Sequence, residues 1–144
     1  MNILAFDPGG TTGWALYSDD DAIIGGQLTN QHHYDLYLLM RENDPQAIVY
    51  ETFEYRNKSR AGLVLDSREY IGVIKLYAEI NEVELVAQSP VLAKGFVSDT
   101  QLKKLHLYNP ENPHLNDALR HLVYYIINHT DLEIRDKWLK LGYK

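Results

Sequence analysis

The 144-residue chain contains no cysteine. Disulfides and thiolate metal sites are therefore excluded, and any metal must rest on carboxylate, imidazole or carbonyl groups. There is no apolar run long enough to span a membrane. The N-terminus lacks a basic segment followed by an apolar stretch, so no signal peptide is expected and a cytoplasmic protein is. Positive charge is in short supply: 14 Lys and Arg against 20 Asp and Glu leave a formal net charge of -6. That balance argues against a protein that coats nucleic acid without selectivity. It does not exclude an enzyme acting on nucleic acid, because metal-binding acids add negative charge where cations will sit. No internal repeat, low-complexity linker or domain boundary is visible. What remains is a chain with 45% hydrophobic and 24% charged residues, ordinary for one globular domain with a real core. The expected domain covers residues 1–129, with 130–144 as a tail.

The most informative stretch is Ile3-Leu4-Ala5-Phe6-Asp7-Pro8-Gly9-Gly10-Thr11-Thr12-Gly13-Trp14-Ala15-Leu16. An apolar run delivers Asp7 into a Gly- and Thr-rich turn, and a second apolar run leaves at once. An acid thus stands at a strand end beside backbone that a phosphate can approach closely. Metal-dependent cutting of nucleic acid uses this arrangement, and so does ATP binding by actin-like kinases.

Residues 2–7, 13–18 and 22–28 read as three strands, the last two joined by the polar turn Ser18-Asp19-Asp20-Asp21 and so antiparallel. Leu36, Leu39 and Met40 have helical spacing in a segment that ends near Asn43-Asp44-Pro45. Ala47–Glu51 is a short β-prone run that ends on an acid. A long helical pattern follows over 61–82, with Leu65, Ile71, Ile74, Leu76, Tyr77 and Ile80 as its apolar positions. Residues 84–88 form a fifth strand, which Ser89-Pro90 stops. A short helix over 99–107 takes Asp99 as its N-cap. The last helix opens at Asn112-Pro113, with Asn suited to the cap and Pro to the first position. Leu115, Leu119, Leu122 and Ile126 mark its buried face. The expected fold class is α/β, with a mixed five-stranded sheet of three antiparallel strands followed by parallel ones, flanked by helices.

Asp7 and Glu51 each end a strand. If those strands are parallel neighbours, both carboxylates emerge at the edge where α/β sheets bind ligands. Two-metal phosphodiester hydrolysis needs carboxylates gathered this way, because hard cations take oxygen ligands. His114 and Asp117, at i and i+3, share one face of the first turn of the last helix. Taken singly, Asp117 is an acid favoured by the helix dipole and His114 a surface or capping side chain. The combination carries the signal.

These motifs resemble the RuvC family of Holliday-junction resolvases, within the RNase H-like superfamily. Phe6-Asp7-Pro8-Gly9-Gly10-Thr11-Thr12-Gly13 resembles the family's opening, Glu51-Thr52-Phe53 its second acid, and His114-Leu115-Asn116-Asp117-Ala118-Leu119 its closing motif. Ser89-Pro90-Val91, Lys94-Gly95 and Lys103 form a weaker fourth match. The likeness runs from Ile3 to about Ile127. The short, acidic chain looks most like divergent bacteriophage members, which would place it in a host cytoplasm.

The resemblance implies an RNase H-like fold and a nuclease that makes paired nicks in four-way and related branched DNA, leaving 5′-phosphate and 3′-hydroxyl ends. It implies two Mg2+ ions per site, with Mn2+ as a substitute, held by Asp7, Glu51 and Asp117. His114 would ligate a metal or orient water. Lys94 and Lys103 would face DNA phosphate, with Lys104 in the same basic group. Phe53 and Tyr55 lie beside Arg56, Lys58 and Arg60, a pattern that suits stacking on an unpaired base; the bland alternative is a core Phe53 and a solvated loop. Cutting two strands symmetrically needs a homodimer, with an interface from the 61–82 helix. The rival readings are an RNase H-like nuclease for flaps or RNA–DNA hybrids, an actin-like ATP-binding domain, and a silent binding module. In the tail, Trp138 and Leu139 suit packing on the domain, while Lys137, Lys140 and Lys144 suit phosphate.

Overall fold

A computed structural model describes residues 1–53, 66–129 and 133–140. The elements run β1 (Ile3–Asp7), β2 (Thr11–Tyr17), β3 (Ile23–Thr29), α1 (His33–Asn43), β4 (Ala47–Glu51), α2 (Asp66–Asn81), β5 (Glu84–Gln88), α3 (Pro90–Phe96), α4 (Asp99–Lys104), α5 (Pro113–His129) and α6 (Glu133–Lys140). They build a five-stranded sheet in the order β3-β2-β1-β4-β5. The pairs β1/β2 and β2/β3 are antiparallel, and β1/β4 and β4/β5 are parallel. This is the mixed sheet expected from the sequence. Among the described residues no helix is long and apolar enough to cross a membrane.

Strand alternation divides the core into two layers. Ile3, Ala5, Ala15, Ala47 and Val49 face the layer filled by Leu115, Leu119, Leu122 and Ile126 of α5. Leu4, Phe6, Leu16, Ile48 and Tyr50 face the layer filled by Leu36 and Met40 of α1 and Tyr70, Ile71, Ile74 and Tyr77 of α2. Since side chains alternate with period two, Asp7 follows Ile3 and Ala5 onto the α5 face, and Glu51 follows Ala47 and Val49 there. Both acids thus end neighbouring parallel strands on one face.

Three details differ from the sequence reading. Leu76 and Ile80 are 58% and 70% exposed, so the buried stripe of α2 is Tyr70, Ile71, Ile74, Tyr77 and Ala78. Ser98, not Asp99, caps α4: its hydroxyl accepts from the Gln101 N–H, and the Gln101 side chain accepts from the Ser98 N–H. Asp99 becomes the first helical residue, and the helix stops at Lys104 because His106 turns left-handed at φ 60°. Finally, Ser89-Pro90 does more than end β5. Ser89 caps α3 and Pro90 takes its first position. The part of the expected 61–82 helix before Asp66 lies outside the described residues, as do Tyr55, Arg56, Lys58, Arg60, Lys144 and the side chains of Lys137 and Trp138.

Candidate active site

The site begins with the turn after β1. Thr12 is fully buried, and its hydroxyl donates to the Gly9 carbonyl at 3.2 Å while accepting from the Gly9 N–H at 3.3 Å. Gln31 reinforces the turn from behind, donating to Thr12 Oγ1 at 2.5 Å and to the Gly9 carbonyl at 2.9 Å. Tyr70 of α2 in turn donates to the Gln31 carbonyl at 3.1 Å. Thr12 therefore shapes the turn, whereas Thr11 lines the cleft beside Asp7.

Helix α5 enters directly across from that turn. Gly13, the cross-strand partner of Asp7, lets it do so: a Cβ there would lie 1.9 Å from the His114 carbonyl oxygen. The His114 N–H donates to Gln27 Oε1 on β3 at 3.1 Å, and its ring Nδ1 meets Asp7 Oδ2 at 3.0 Å. Asn116 fixes the approach to the helix by accepting from the Asn109 N–H at 2.9 Å and donating to the Asn109 carbonyl at 2.6 Å.

Glu51 is held by a residue that the sequence reading did not single out. His121, fully buried one turn beyond Asp117, places Nε2 3.1 Å from Glu51 Oε1 and Nδ1 2.8 Å from Gln88 Oε1. Nε2–H donates to the Glu51 carboxylate, and Nδ1 faces the Gln88 side-chain oxygen. A signal was present: His114, Asp117 and His121 stand at i, i+3 and i+7, one face of the helix.

Asp117 points toward Arg120, which donates to it at 3.3 Å, donates through Nε to the Val97 carbonyl at 3.0 Å, and also pairs with Asp99. Asp7, Glu51, His114, Phe53 and Lys94 line one cleft of about 820 Å³, together with the Gly9–Thr11 turn and Pro90-Val91 of α3. Lys103 stands over the Tyr108 ring at 4.8 Å, and it and Lys104 ride on α4 away from the cleft lining.

The acids feel one another. Burial first, then a hydrogen bond to Glu51 and the charges of Glu51 and Asp117, push Asp7 far above the usual carboxylate range, against a small pull from Lys94. Burial works on Glu51 too, but hydrogen bonds from His121 and Asp7 and the charges of His121 and Lys94 bring it below its ordinary value. Asp117 is raised, chiefly by burial. Without cations, the Asp7–Glu51 pair keeps a proton between two carboxylates that cannot both ionise cheaply. A hard cation could take the place of that proton, and the donors at hand are the oxygens and imidazole that it accepts. Among the described residues no three His, Asp or Glu groups already stand together as a metal site.

A five-stranded mixed sheet in the order β3-β2-β1-β4-β5, with helices on both faces, is the RNase H-like fold in the form seen in RuvC-type resolvases. No family model matches the chain, and no curated protein is similar to it in sequence. Solved structures are similar to it in fold. Thermus thermophilus RuvC in complex with a Holliday junction substrate superposes with a TM-score of 0.64 at 19% identity, over 84% of this chain and 89% of that one. Another T. thermophilus RuvC structure gives 0.62 at 17% identity, over 84% and 90%. The fowlpox virus Holliday junction resolvase gives 0.60 at 12% identity, over 88% and 97%. These likenesses establish the fold.

Proposed function

We propose that the chain is a metal-dependent endodeoxyribonuclease that resolves four-way and related branched DNA. The observation that carries this reading is the pairing of Asp7 and Glu51 at the ends of adjacent parallel strands, on one sheet face, in a cleft closed by His114 and Lys94. Asp7 and Glu51 are the residues that would hold divalent ions, Mg2+ or Mn2+, which when bound activate water and stabilise the leaving oxygen. Asp117 completes the set by leaving Arg120, for which Asp99 is a ready second partner. His121 keeps Glu51 ionised and aimed. His114 orients Asp7 and stands where it can order water. Lys94 offsets the charge of the acids and of a bound phosphate, and Phe53 presents a ring at the rim.

Cutting both strands calls for two sites related by a twofold axis. Leu76 and Ile80, left exposed on α2, support a homodimer through that helix. The ATP-binding alternative loses ground because the Thr12 hydroxyl is spent inside the turn.

Cleavage of a four-way junction, a flap, an RNA–DNA hybrid and a plain duplex, with Mg2+ and with Mn2+, tests the proposal. The expected result is paired nicking of the junction, abolished in Asp7→Asn. Preferential cutting of the hybrid or flap would move the reading to the neighbouring nuclease class, and full activity of Asp7→Asn would end it.

A further inference from the structure

A second pocket, of about 290 Å³, opens beside the acid cleft. Thr52 and Phe53 line both cavities, so the two meet across the Phe53 ring. Its outer wall is α2, where Arg68, Gly72 and Lys75 all face it. Arg68, Gly72 and Lys75 fall at i, i+4 and i+7, one row along the helix, with the acid Glu79 next in that row beyond the pocket. Residues 69, 73, 76 and 80 form the adjacent row, which carries the exposed Leu76 and Ile80. The cationic row and the apolar row are thus separate strips of one helix. Among the described residues neither Arg68 nor Lys75 has an ion-pair partner.

Gly72 is the unexpected part. After proline, glycine is the poorest helix former, yet Gly72 lies in the interior of α2 with an ordinary helical φ. Among the described residues an added Cβ would find nothing within 4 Å. Neither the backbone conformation nor packing against the described residues asks for glycine here. What its smallness preserves is open space on the pocket wall between two cations.

We propose that the pocket bounded by Arg68, Gly72 and Lys75 is a second phosphate-binding subsite, holding the backbone of the DNA strand that passes from the acid cleft over Phe53. The Arg68 fork and the Lys75 ammonium grip phosphate oxygens, and Gly72 lets the strand lie against the helix. The identity of the strand rests on the nuclease reading; the phosphate chemistry of the pocket does not.

Two measurements on the full chain, both in EDTA, test it. The first follows junction affinity by fluorescence anisotropy across a salt series. Losing one phosphate contact lowers the slope of log K against log salt by about 0.7–0.9. Arg68→Gln/Lys75→Gln is expected to lower that slope by about 1 and weaken binding about tenfold. Gly72→Ala is expected to raise the melting temperature while weakening binding, a combination that a purely structural role would not produce. The second records backbone amide shifts on adding a short oligothymidylate, expected at Gly72 and Lys75 and absent in the double variant. Wild-type affinity and slope in both variants would overturn the subsite while leaving the nuclease reading intact. So would a Gly72→Ala change in sedimentation with unchanged DNA binding, which would assign the glycine to self-association. If the wild type neither binds nor cuts junctions, the nuclease reading fails, and the oligothymidylate shifts alone decide the pocket.

Discussion

Helices α5 and α2 are nearly equal in length, 17 and 16 residues, yet ten residues of α5 are buried against five of α2. Helix α5 crosses the centre of the sheet, and even its polar side chains are enclosed: Asn116 is doubly bonded to Asn109, and His121 is held between Gln88 and Glu51. Helix α2 buries one stripe and leaves a cationic row and an apolar row outside. The difference separates two tasks. Side chains that must keep fixed distances from Asp7 and Glu51 ride on the helix that has no room to move. Side chains suited to meeting other molecules ride on the helix whose outer face, among the described residues, carries the exposed Leu76 and Ile80.

The most severe test of that contrast is Gly13→Ala. Its methyl group would collide with the His114 backbone. The expected cost is about 3 kcal/mol, a melting temperature lower by roughly 10 °C, and loss of cleavage. An unchanged melting curve would show that α5 is not seated on β2 as described. Next comes His121→Ala, expected to slow cleavage about 10–100-fold, as removal of a supporting hydrogen bond typically does, with junction affinity nearly unchanged. His121→Gln, whose amide can still donate to Glu51, should recover part of the rate. Equal activity of all three proteins would remove His121 from the site.

On α2 the expected stability effects are smaller. Leu76→Glu/Ile80→Glu should leave the melting temperature within about 2 °C, as surface changes do, while sedimentation shifts from dimer to monomer and paired cuts become single nicks. A wild type that sediments as a monomer would break that half of the comparison. The last effect concerns charge. Because Asp7 is raised in the folded state, the metal-free protein binds more protons folded than unfolded, and the contribution of Asp7 to stability declines as pH rises above its unfolded value. Asp7→Asn should therefore melt about 3 °C higher than wild type near pH 8 in EDTA, and the gain should shrink as pH falls toward about 4. A gain that grew on acidification would reverse the assignment.

The two helices were not equally legible in the sequence. The α5 stripe of Leu115, Leu119, Leu122 and Ile126 is continuous because one face meets the sheet throughout, and all four are buried. Strands ending on Asp7 and Glu51 were readable for the same reason, since each apolar run stops where the sheet edge begins. In α2, Leu76 and Ile80 look like core from spacing alone. Periodicity records which residues are apolar, not which apolar row meets this protein's own sheet. His121 was legible only as the next position on the face of His114 and Asp117; its partners, Gln88 and Glu51, come from two strands far away in sequence. Helix α3 has seven residues, too few to show a period, and its cap at Ser89 was legible only as a strand stop. Ser98 and Asp99 are both good caps by type, and the Gln101 side chain returning to the Ser98 N–H decides between them.

The contact between His114 and Asp7 also bears on when the acid cleft is assembled. The two residues are 107 positions apart, and Glu51 and His121 are 70 apart. Closing such large loops comes late in folding, after local helices and hairpins have formed. Synthesis reaches β1 and β4 long before α5. A chain interrupted before residue 113 carries both acids but neither His114 nor Asp117 nor His121 to organise them. The order of elements along the polypeptide thus leaves Asp7 and Glu51 without their histidine partners until the last sheet-covering helix has docked.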